Sequence, residues 1–127
     1  MAYKFITIPI YDYPVVLATS LKDAAKAIQQ QYGSVITLAD AKGVVERASP
    51  AGAASGWVNE IANDDEQVVC GIMVCDRKRE LNTVAHEATH LAMNVLSFAE
   101  IETSPDNHEA LAYLVGYVTE QFTEKWD

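Results

Sequence analysis

Read for the spacing of its apolar positions, the chain divides into short β-type runs followed by two long helical stripes. Lys4–Ile10 and Val15–Ala18, rich in β-branched and aromatic residues, predict two strands around a turn at Asp12–Pro14. Ser20, with Asp23 three residues on, makes an N-cap, so a helix is expected over Leu21–Gln31, ended by Gly33. Val35–Leu38 and Val44–Arg47 read as strands flanking a turn at Asp40–Gly43, and the Ala/Gly/Ser-rich Ala48–Gly56 as a loop. Trp57–Ile61 is a further strand. Asn63–Glu66 then turns the chain into Gln67–Cys75, the strongest strand signal and one expected to lie centrally or next to the following helix.

From Leu81 the period changes to helical. Setting His86 at zero and stepping about 100° per residue, Val84, Ala88, Leu91 and Val95 centre near about 170°, while His86, His90 and Met93 share the opposite side. A packed face and a second face carrying histidines predict a helix covered on both sides. Ser104-Pro105-Asp106-Asn107 marks the start of a last helix, expected over about Pro105–Thr123. Its apolar stripe is Leu111, Leu114, Val115, Val118 and Phe122; Glu109, Ala112, Tyr113 and Gly116 lie on the other side. Small residues at 112 and 116 would let the Glu109 face pack closely on the His86/His90 face. With no internal repeat and no dividing linker, residues 1–127 are expected to form one α+β domain: a small twisted sheet with one inserted helix, then two helices.

Composition narrows the function classes. The net charge is −9, which removes any general attraction to nucleic acid or anionic membranes, and Arg77-Lys78-Arg79 reads as a solvated turn. No apolar run approaches the roughly 20 residues of a membrane span, and the apolar start is soon broken by Pro9, Asp12 and Pro14, unlike a secretory signal. A cytoplasmic location is the expectation. Cys70 and Cys75 are five apart in one β-type run, so they point to opposite faces and read as small buried hydrophobes rather than a disulfide or metal pair.

The candidate chemistry lies in His86-Glu87-Ala88-Thr89-His90, an H-E-x-x-H motif. Imidazoles four apart on a helix reach the same ion, and Glu87, one step round, can take a proton from a metal-activated water. About half a per cent of chains with this composition would hold the motif by chance, so the helical context decides in its favour.

Glu109 follows His90 after eighteen intervening residues. H-E-x-x-H with a downstream helical Glu resembles the gluzincin branch of the zincin metallopeptidases, over roughly Glu80 to Val118. Asn107-His108-Glu109-Ala110 and Leu111–Tyr117 are also similar to small phage and prophage proteins that bear a minimal zincin core. The metzincin pattern is disfavoured, because it needs Gly at Met93 and His at Leu96. The resemblance implies Zn2+ bound by His86, His90 and Glu109, Glu87 as general base, and a protein or peptide substrate. It further implies a cleft between an edge strand above the active helix and a lower lobe, for which this chain has little length. Competing third ligands are His108, Asp106 and Glu102; His108 projects toward the apolar side, and the two acids read as capping or solvating a helix end. Tyr113 or Tyr117 would supply an oxyanion donor, with aromatic packing the alternative role for Tyr117. Asn82 and Thr83 are candidates for orienting the histidines. A catalytically inert module in which zinc staples two helices is the alternative function, and the oligomeric state is left open.

Overall fold

The computed structural model describes residues 3–33, 37–48, 56–62, 68–76, 78 and 80–124. In chain order these form β1 (Tyr3–Ile8), β2 (Tyr13–Ala18), α1 (Leu21–Gln31), α2 (Leu38–Ala48), β3 (Gly56–Ala62), β4 (Val68–Cys75), α3 (Leu81–Phe98) and α4 (Glu109–Thr123). The strands make one sheet in the order β1-β2-β4-β3. β1 and β3 run antiparallel to their neighbours, and the central pair β2–β4 is parallel, with Val15 opposite Gly71 and Ala18 opposite Val74.

Strand alternation sends successive side chains to opposite faces, and each face has its own core. Val16, Ala18, Trp57, Ile61, Ile72 and Val74 meet α1 and α2 through Ala24, Ile28, Ala41 and Val45. Val15, Leu17, Met73 and Cys75 meet α3 and α4 through Val84, Leu91, Val95, Leu114, Val118 and Phe122. The α+β class and the central position of β4 agree with the sequence. Among the described residues no helix is long and apolar enough to cross a membrane.

The second inserted helix is the main departure. Residues 38–48 form α2 where Val44–Arg47 and a turn at Asp40–Gly43 suggested strands; 35 and 36, the start of the other expected strand, lie outside the described residues. Thr37 caps the helix, its Oγ1 accepting from the Asp40 N–H at 3.2 Å, and Ala41 and Val45, one turn apart, are both buried. A capped start and an i,i+4 apolar pair outweigh the β preference of Val44 and Val45. By contrast α1 has the expected bounds, with Ser20 Oγ accepting from the Asp23 N–H at 3.1 Å. The readings for Ala48–Gly56, Asn63–Glu66 and Arg77–Arg79 fall largely outside the described residues, though Lys78 is exposed in a turn.

Cys70 and Cys75 lie in opposite cores, both fully buried and free. Burial pushes each thiol up to about 12; Glu87 and Asp76 add to the effect at Cys75. A native pKa above the unfolded value stabilises the fold fully below the unfolded pKa and loses that contribution as pH rises toward the folded one. The unfolding free energy, followed through the urea midpoint, is therefore expected to hold at neutral pH and fall above about pH 9, by up to about 1.4 kcal/mol per pH unit for each thiol. Cys70→Ala should shallow that decline, and a midpoint independent of pH to about 10.5 would contradict the assignment.

Candidate metal centre

α3 is positioned by its apolar face. Val84, Ala88, Leu91, Ala92, Val95 and Leu96 are all buried against the sheet and α4, which turns the opposite side outward. His86 and His90 are exposed, the His86 side chain by 67%, and Met93 by 47%. Among the described residues the helix is thus covered on one side only, contrary to the sequence expectation. Histidine loses little by facing water, and α4 spends its own apolar stripe on the core instead of on this face.

Glu87 differs from its neighbours. At 8% exposure it is one of two buried polar residues among those described, the other being Thr19. β3 begins directly beside it: a Cβ on Gly56 would come within 2.9 Å of Glu87 Cγ and 3.2 Å of Thr83 Cγ2. Only glycine lets the edge strand approach the carboxylate stem so closely. Thr83 is accordingly packed against β3. Glu87 Oε2 is 4.0 Å from His86 Nε2, and the imidazole centroids of His86 and His90 are 4.9 Å apart. One ligand atom from each of His86, Glu87 and His90 lies within 4.8 Å of the others. Two imidazoles and a carboxylate at this separation could hold a metal ion.

Glu109 does not join them. Among the described residues the cluster is His86, Glu87 and His90 alone, and Glu109 is exposed as the first residue of α4. Residues 104–107, expected to open the helix, form a turn instead. The Asn107 N–H bonds Ser104 O at 3.0 Å, the Asp106 N–H bonds Ser104 Oγ at 3.3 Å, and Asn107 Nδ2 bonds Glu102 O at 3.0 Å. These local side-chain bonds compete with helix and delay it by four residues. His108 occupies the N-cap position without a side-chain cap bond, and both it and Asp106 are exposed.

The packing of α4 also departs from expectation. Leu114, Val118 and Phe122 are buried, whereas Ala112, Tyr113 and Gly116 face outward, and a Cβ on Gly116 would meet nothing within 4 Å. The Glu109 face therefore does not pack on the His86/His90 face. Burying one large aliphatic or aromatic side chain stabilises by about 1.5–3 kcal/mol, far more than alanine and glycine offer, so the Leu/Val/Phe stripe wins. Tyr113 is 52% exposed and stacks on Tyr117, with centroids 6.3 Å apart.

One buried polar link is signalled in the sequence only indirectly. Tyr13, fully buried on β2, reaches across β4 and donates from Oη to Glu60 Oε2 on β3 at 2.5 Å. Burial, then this bond, raise the Tyr13 pKa. Gly71 lies beneath the ring, where a Cβ would approach Tyr13 Cε1 to 2.6 Å. An isolated glycine in the strongest strand was the available hint, since such a glycine marks close approach. Compared with family models, with curated proteins and with solved structures, the chain matches none.

Proposed function

We propose that this protein is a zinc-dependent peptidase. The observation that carries the reading is Glu87, a buried carboxylate fixed by Gly56 beside two exposed imidazoles. The donor set fits zinc, which takes imidazole and carboxylate ligands. His86 and His90 would hold the ion. Glu109, the further ligand implied by gluzincin spacing, stands outside the cluster, so its part is decided by substitution. Bound there, zinc would polarise a carbonyl and acidify a water.

The chain's own residues do the rest. Glu87 Oε2 accepts the proton of the attacking water and returns it to the leaving amine. Tyr113 stands on the side of α4 that does not pack on the histidine face, so its part as oxyanion donor, like that of Glu109, is decided by substitution. β3 is an edge strand packed on α3, and its outer side is unpaired among the described residues. An extended peptide adding to that edge passes over Glu87. Phage association and cytoplasmic action belong to the same proposal. The alternative, an inert module stapled by zinc, is disfavoured because the three clustered donors all come from α3 and would link nothing to α4.

Glu87→Gln is the test. The amide keeps the volume but cannot accept the proton, so kcat should fall by about 10²–10⁴ with zinc content unchanged. Turnover equal to the parent protein would remove Glu87 from the mechanism.

A further inference from the structure

A cavity of about 460 Å³ opens at the C-terminal end of α3, lined by Met93, Ser97, Glu100, Ile101, Glu102 and Thr103. It adjoins the histidine face. Met93 follows His90 by three residues, and Ser97 stands about 10 Å further along the axis than His90 at 1.5 Å per residue. An extended peptide advances about 3.3–3.6 Å per residue, so a residue two or three places along from the one at the His86/His90 cluster stands over this cavity.

The shape of the helix end fixes the floor. The Ile101 N–H bonds Leu96 O at 2.9 Å and the Glu100 N–H bonds Ser97 O at 3.0 Å, the paired bonds of a Schellman ending. Glu100 takes its left-handed position, φ 60°, and stands at the cavity rim. The walls are apolar at Met93 and Ile101, polar at Ser97 and Thr103, and acidic at Glu100 and Glu102. From Glu80 to Glu124 the chain has eight acidic residues, three histidines and no lysine or arginine, so no lysine or arginine of α3, α4 or their connection neutralises these carboxylates. The nearest lysine pairing with α4, Lys4 to Gln121 and Glu124, is at the opposite end of that helix.

We infer that this cavity is a subsite for a lysine or arginine side chain of the bound peptide. The aliphatic stem lies along Met93 and Ile101, and the cationic head meets Glu100 and Glu102. The inference deepens the peptidase reading and rests on it for the position of the peptide backbone.

The test separates the two. Three peptides, acetyl-Ala-Ala-Xaa-Ala-Ala-amide with Xaa lysine, norleucine or glutamate, are titrated into zinc-loaded Glu87→Gln protein and followed by amide NMR. The lysine peptide should bind about fivefold more tightly than the norleucine peptide and shift the amides of Ser97 and residues 100–103. Glu100→Gln combined with Glu102→Gln should reduce that preference to less than about twofold. Equal affinity for all three, including no measurable binding of any, overturns the subsite, as does a lysine preference that survives the double substitution. Hydrolysis is read separately with the Glu87 protein: its absence on every peptide would remove the peptidase reading while the NMR preference still reported on the cavity.

Discussion

Zinc affinity is expected to fall by at least about a hundredfold when His90 is replaced by alanine, because one imidazole alone remains to hold the ion. The fold should not change. His90 is exposed and alanine is the better helix former, so the metal-free variant should melt at or slightly above the parent temperature. The difference appears only on adding metal. At a hundredfold excess over Kd the parent gains about 2.7 kcal/mol, and the variant gains almost none. Chelator competition followed by mass-spectrometric metal content measures the affinity, and a thermal shift measures the linkage. His86→Ala should behave alike. Glu109→Ala then decides the remaining ligand: a comparable loss brings α4 into the coordination, and an unchanged affinity leaves the ion on α3. A parent protein that retains no zinc and gains no stability from it would end the metal proposal altogether.

The largest stability loss is expected from Gly71→Ala. A methyl there would stand 2.6 Å from Tyr13 Cε1, 3.1 Å from its Oη and 3.2 Å from Leu91 Cδ1. Tyr13 cannot yield easily, since it is fully buried, bonded to Glu60 and in edge contact with Phe98 at 5.3 Å between centroids. Overpacking of this kind costs about 1–3 kcal/mol. Pulling Tyr13 from the Glu60 carboxylate adds about 1.5–3 kcal/mol more. For a domain whose total stability is about 5–15 kcal/mol, the urea midpoint should drop sharply at constant slope. Gly116→Ala is the matched control. Its Cβ enters open space on a helix, so it should stabilise by about 0.5–1 kcal/mol. Equal effects of the two substitutions would refute the account of both glycines.

Where the sequence was legible, a local rule and the tertiary environment agreed. The Ser20 cap and Gly33 bound α1, and the helical angle separates Val84, Ala88, Leu91 and Val95 from His86, His90 and Met93 as the structure does. The period established which residues of α3 face away from the core, yet not what lies beyond them. Covering the histidine face needed a second element, and the sequence offers α4 only one strong apolar stripe. The close approach that Glu109 and Gly116 together suggest does not form, because Gly116 faces solvent. The start of α4 is not legible because Ser104 and Asn107 are equally at home in a cap and in a closed turn. α2 is not legible because Val44 and Val45 weigh toward strand, whereas the deciding cap, Thr37, precedes them by seven residues or more. The Tyr13–Glu60 bond joins residues 47 apart in sequence and no local pattern encodes it.

The parallel seam between β2 and β4 governs how the molecule assembles. β1–β2 and β3–β4 are antiparallel pairs between neighbouring strands in the chain. Pairing of Val15 with Gly71 must instead close a long stretch of chain that contains both α1 and α2. Hairpins form in about 1–10 μs, whereas a distant pairing bears its loop-closure entropy before any contact rewards it. The two hairpins are thus early, partly formed halves, and each presents an apolar strand surface until they meet. Helices α3 and α4 find a complete floor only once that seam has closed, so the slow step of folding is also the step that completes the core beneath both of them.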